Sequence, residues 1–158
     1  MKSTVEQTDI KEWLKILGTK LLVGVYILQD GKFCYVNPSF PLITGYSADE
    51  LIGKDSLELI FPEDREMVRE NAIKMLQGNL LSPYYFRVIG KDGSIKWLME
   101  TVSSIQYRGR RATLGNYMEI TQRKQTEDKL RQSEEKYKAL FESTTIGTVV
   151  LDAETMKI

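Results

Sequence analysis

SPYYFRVIGKDGSIKWLMETVSSIQYRGRRATLGNYMEI, residues 82–120, is the stretch on which the fold turns. Three runs rich in aromatic and β-branched residues are separated by Asp92-Gly93 and by Arg108-Gly109. Such runs suit a pleated, half-buried surface, and Gly at a short break accepts the positive φ of a tight hairpin turn. The pattern predicts antiparallel strands over 82–89, 94–106 and 111–120. Upstream, 23–29 and 32–36 read as two more strands around Asp30-Gly31, a pair in which both residues tolerate positive φ.

Between the two strand groups the chain reads as helices. Asn37-Pro38 breaks the second strand, and Pro38 suits the first position of a helix. Short helical pieces are predicted over 40–45 and 47–52, with Ser47 and Glu50 spaced as a capping box. Pro62 opens a longer helix to about residue 77, stopped by Gly78. Glu63 and Asp64 stand in its first turn, and Met67, Ala72, Ile73 and Leu76 form its apolar side. Near the N-terminus, Ile10, Trp13, Leu14 and Leu17 fall at i, i+3, i+4 and i+7 of an amphipathic helix over 9–18. Two strands, helices, then three strands make an α+β domain, a five-stranded antiparallel sheet with helices on one face.

Beyond Thr121 the composition changes. TQRKQTEDKLRQSEEKYKALFE is dense in charge and lacks Gly and Pro, with Leu130, Tyr137 and Phe141 at near-heptad spacing. It predicts a charged helix with a narrow apolar seam, suited to a two-stranded coiled coil. IGTVVLDAETMKI, from Ile146, is similar to VGVYILQDGKF, from Val23, and predicts the opening strand of a second copy. The expected divisions are therefore 1–21, an N-terminal amphipathic helix; 22–121, the folded domain; 122–142, the charged helix; and 143–158, the start of a truncated repeat.

The 158 residues hold 22 basic and 22 acidic side chains, one Cys and no His. A balanced charge gives no general pull toward nucleic acid or anionic membrane. No apolar run reaches the ~18 residues that a membrane span needs. The single Cys34 fits a reducing cytoplasm. Without His there is no triad, no imidazole base and no imidazole ligand for zinc or haem. These features point to a cytoplasmic, non-enzymatic module with no nucleic-acid or membrane contact.

YVNPSFPLITGYSADELIGK (35–54), FPEDREMV (61–68), GKDGSIKWL (90–98) and EITQRKQTE (119–127), in that order and spacing, resemble a PAS domain of the kind found in sensor histidine kinases and diguanylate cyclases. The resemblance covers about 22–121. It implies a ligand cavity between sheet and helices, a homodimer, neighbouring PAS and output domains, and a signal leaving through the C-terminal helix. The alternative is a purely structural dimerisation or interaction domain with no ligand. Two positions depart from the family pattern: Glu119 replaces the usual Asp, and Phe61 the frequent His before Pro62. Flavin-binding members carry a Cys in an Asn-Cys-Arg-Phe type helix, haem-binding members an axial His, and photoactive-yellow-type members a helix Cys near Glu and Tyr. None of these is matched, so neither flavin nor haem is expected, which leaves a small metabolite or no ligand at all.

Strand alternation and the resemblance together place Tyr26, Leu28, Tyr84, Phe86, Val88, Leu98, Glu100, Val102, Gly115 and Tyr117 on the helix-facing side. With Phe40, Ile43, Met67 and Ile73 from the helices, they are the candidate cavity residues. Val25, Ile27, Trp97, Met99 and Thr101 fall on the opposite face, which is too apolar for free solvent. The Trp13 helix or a second subunit is expected to cover it, which makes Ile10, Trp13, Leu14 and Leu17 candidates for the same interface. Glu100 has two readings: a polar contact for a ligand beside Tyr26, Tyr84 or Tyr117, or a carboxylate that reaches the sheet edge or bonds a buried backbone group. The three tyrosines line a cavity or are ordinary core aromatics. Cys34 reads as a small buried hydrophobe or a redox sensor, and Arg108, Arg110 and Arg111 as a solvated hairpin or an anion site.

Overall fold

β1 (Val23–Gln29) and β2 (Lys32–Val36) turn back on each other at Asp30 and Gly31, whose φ values of 53° and 76° are both left-handed, as the Asp-Gly pair predicts. The computed structural model describes the backbone of residues 23–155 and the side chains of 23–143. The helix expected over 9–18, with Ile10, Trp13, Leu14 and Leu17, lies outside the described residues. Asn37 does more than end β2. Its Oδ1 accepts the Val25 N–H at 2.9 Å and the Phe40 N–H at 3.2 Å, while its Nδ2 donates to the Val23 carbonyl at 2.9 Å. One buried side chain thus extends the β1 ladder and starts α1 (Ser39–Thr44).

α2 (Ala48–Leu51) carries the predicted capping box: Glu50 N–H donates to Ser47 Oγ, and Ser47 N–H to Glu50 Oε2. The helix at Pro62 starts later than expected. Residues Pro62–Asp64 make a 3-10 turn, and α3 runs Arg65–Leu76. Within α3, at about 3.6 residues per turn, Val68 lies on the face of Ala72 and Met67 opposite Leu76, so Val68 faces the core and Met67 does not.

β3 (Tyr84–Ile89), β4 (Ile95–Tyr107) and β5 (Arg110–Glu119) complete an antiparallel sheet of order β2-β1-β5-β4-β3. Arg108 and Gly109 both have positive φ, in a two-residue turn. At the other hairpin only Gly93 does, because the Gly90 N–H closes a wider turn on Ser94 O. α1 packs on β1, and α3 on β3 and β4, which roofs one face. The alternating burial of β3 and β4 places Tyr84, Phe86, Val88, Leu98, Glu100 and Val102 beneath that roof.

The chain divides after Thr121 into two compact units. The second is built on α4 (Thr121–Thr155), on which Leu130, Tyr137, Leu140 and Phe141 are 54–74% exposed. The helix does not stop near residue 142, and residues 146–155, which resemble the opening strand of a repeat and are expected to be disordered or paired on an open sheet edge, are helical. A lone strand finds no partner edge, whereas extending an existing helix adds one hydrogen bond per residue without a new nucleus. No helix among the described residues is long and apolar enough to cross a membrane.

Candidate functional site

The site starts from a repeated spacing, Gly24-x-Tyr26 in β1 and Gly115-x-Tyr117 in β5. The two strands pair so that Gly24 faces Tyr117 and Tyr26 faces Gly115. Each ring lies flat across the opposing glycine: a Cβ on Gly24 would stand 2.4 Å from Tyr117 Cζ, and one on Gly115 2.0 Å from Tyr26 Cζ. The absent side chains are what let both phenols lie down under the helices. Phe40 of α1 meets Tyr117 edge-on at 4.9 Å and fixes the tilt from above.

Glu100, on β4, lies among these rings and is 4% exposed. Its Oε1 accepts the Tyr26 hydroxyl and its Oε2 the Tyr84 hydroxyl, both at 2.6 Å. These lengths are those of charge-assisted O–H···O bonds. Of the sequence readings, the sheet-edge and backbone-bonding forms are therefore replaced by a carboxylate held between two tyrosines. Burial pushes its pKa up to about 7, against the lowering effect of the two phenol donors. Burial and the Glu100 charge push all three tyrosines well above their ordinary range, so they remain neutral donors. Tyr117 Oη is buried and has no hydrogen-bond partner among the described residues.

A cavity of about 360 Å³ opens over these groups. Of the residues expected around it, Tyr26, Leu28, Phe40, Ile73, Tyr84, Phe86, Val88, Leu98, Glu100, Val102 and Tyr117 line it. Three do not. Ile43 is packed in the core, Gly115 lies beneath the Tyr26 ring, and Met67 is 37% exposed on the outer side of α3. Leu57, Leu59, Ile60, Val68 and Ala72 also line the walls, beyond the expected set, as do the exposed Asp30, Asp55 and Arg69. Val68 was legible in principle, since it falls four residues before Ala72 and so on the same helix face.

On the opposite face of the sheet, Val25, Ile27, Trp97, Met99 and Thr101 are half-buried. The Arg87 guanidinium lies 4.2 Å from the Phe61 ring centre and donates to Asp64 Oδ2 at 2.9 Å. Phe61, where the family pattern has His, thus serves as a stacking surface. Glu119, the other departure, accepts the Thr121 hydroxyl at 3.0 Å, and Thr121 Oγ1 in turn accepts the Trp97 N–H at 3.0 Å. Cys34 is half-buried, its thiol 3.7 Å from Gln29 Oε1, away from the cavity wall.

A five-stranded antiparallel sheet roofed on one face over a polar-headed cavity defines an α+β domain with a pocket between its two layers. The family model for the PAS fold matches residues 33–115. Sporulation kinase A of Bacillus subtilis (strain 168) is 30% identical over 155 residues, which are 95% of this chain and 24% of that protein. The sensory box histidine kinase/response regulator of Burkholderia thailandensis E264 superposes with a TM-score of 0.63 at 26% identity, over 80% of this chain and 98% of that one. A PAS domain from Colwellia psychrerythraea shares the fold at a TM-score of 0.61 and 21% identity, over 72% and 98% of the two chains. The chain belongs to the PAS family and is a sensory PAS domain of a signalling protein. It spans about a quarter of the curated relative's length.

Proposed function

We propose that the cavity binds a small molecule without a flavin or haem cofactor, and that the domain works in the cytoplasm as a homodimer. Its occupancy biases one of two packings of sheet and helices, and α4 carries that bias to neighbouring PAS and output domains, a histidine kinase or diguanylate cyclase. The single observation that carries this reading is Tyr117 Oη, a buried hydroxyl without a described partner at the wall of a cavity of about 360 Å³. Buried hydroxyls are normally paired, and a volume of this size lies within the range of ligand pockets.

The second reading is a structural dimerisation module with no ligand. It is favoured by the exposed apolar seam of α4 and by the half-buried outer face of the sheet. Native mass spectrometry of the gently purified chain and of Ala72→Phe, which fills the cavity from α3, separates the two. An adduct on the parent chain that Ala72→Phe lacks is expected. No adduct, no thermal stabilisation by any member of a metabolite library, and a more stable Ala72→Phe would favour the structural module.

A further inference from the structure

We infer that the cavity selects a small amphiphile with a neutral or cationic N–H-donating head, an amine, amidine or amide, and rejects organic acids and phosphates. The inference rests on reading the cavity as a binding site and names its ligand class. Its first ground is the inventory at the closed end. A carboxylate offers about four lone-pair sites. Tyr26 and Tyr84 take one on each oxygen of Glu100, so both oxygens can still accept. Tyr117 adds a phenol that can donate and accept. The open positions are thus mainly acceptors, with one donor beside them, the complement of an N–H head.

The second ground is charge. Among the described lining residues, Arg69 is the one cation, on the exposed side of α3, whereas Glu100, Asp30 and Asp55 are acidic. Asp30 is paired with Arg110 at 2.8 Å, and Asp55 caps the Leu57 N–H at 2.9 Å, so the balance at the mouth is near neutral. At the closed end it is negative. A ligand carboxylate or phosphate carried there would face a buried like charge with no cation to offset it, while an ammonium or amidinium would pair with it. The walls, among them Phe40, Leu59, Phe86, Val88 and Leu98, are apolar and suit a hydrocarbon or aromatic body.

The third ground is preorganisation. Gly24 and Gly115 hold the Tyr117 and Tyr26 rings flat on the sheet, so their hydroxyls are in place before any ligand arrives.

The test uses three probes with one skeleton: benzamidine, benzamide and benzoate. Each is titrated into the full chain while backbone amides of Leu98, Gly115 and Tyr117 are followed by NMR. Benzamidine and benzamide are expected to shift these amides saturably, and benzoate to bind at least tenfold more weakly. Glu100→Gln should weaken benzamidine by roughly tenfold or more, the fold-change of one charge-assisted hydrogen bond, and narrow its margin over benzamide. Tyr117→Phe, which keeps the ring, should weaken benzamide severalfold. If benzoate binds these amides as tightly as benzamidine, the ligand class is wrong and the cavity still a site. If no probe moves them in either the parent chain or Tyr117→Phe, both the class and the binding-site reading fall.

Discussion

Glu100 links the cavity to the stability of the fold through its proton. The group takes its charge among Tyr26 of β1, Tyr84 of β3 and Tyr117 of β5, with Arg69 and Asp55 farther out along the same wall. Its folded pKa of about 7 stands above the ordinary 4.5, so between those two pH values the native state keeps a proton that the unfolded chain has released. The associated stability is complete below the ordinary value and is lost as pH rises through about 7, a total of about 3 kcal/mol. Urea unfolding from pH 5 to 8 should show this decline in the parent chain, and Glu100→Gln should remove it. Parallel curves for the two proteins would count against a buried, titrating Glu100. Asn37 poses a different test. Truncating it to Ala strands the Val25 N–H and the Val23 carbonyl, and a loss of about 2–3 kcal/mol in urea unfolding is expected.

At the level of elements, the β1–β5 pair depends on two missing Cβ atoms. Gly115→Ala would drive a methyl into the Tyr26 ring, and a cost of about 1–3 kcal/mol is expected, with the Tyr26–Glu100 bond disturbed. Restoring space with Gly115→Ala/Tyr26→Leu should recover part of that cost, measured as a double-mutant cycle. The Gly-x-Tyr repeat is visible in the sequence, yet glycine in a strand reads first as a weak point. Only the register, with each glycine opposite a tyrosine, turns it into a signal. The hairpins and the Ser47–Glu50 box are legible because each is settled within a few residues. Met67 falls outside the cavity because, at about 3.6 residues per turn, it stands on the opposite side of α3 from Leu76, whereas Val68 shares the face of Ala72, so periodicity within the helix already separates the two.

For the molecule as a whole, the antiparallel sheet and its helical roof can be read from sequence, but the place of β1 beside β5 cannot. That pairing joins residues some ninety positions apart, so no local pattern encodes it. Glu100 is recognisable as an inward carboxylate, whereas its two partners come from separate strands and need the assembled sheet. Beyond the sheet, the seam of Leu130, Tyr137, Leu140 and Phe141 on α4 is the surface on which a proposed dimer would close. Tyr137→Glu should shift the chain toward monomer in analytical ultracentrifugation while leaving the far-ultraviolet circular dichroism of the sheet domain in place. An unchanged sedimentation coefficient would move the dimer contact elsewhere.

Val23, where β1 begins, stands opposite Met118, near the end of β5. The domain's entrance and exit are therefore one strand spacing apart, roughly 5 Å. A module with adjacent doorways can be spliced into a longer polypeptide, or removed from it, with little displacement of the segments on either side. For the same reason the strand that receives the incoming segment is hydrogen-bonded along its length to the strand from which the chain leaves the sheet.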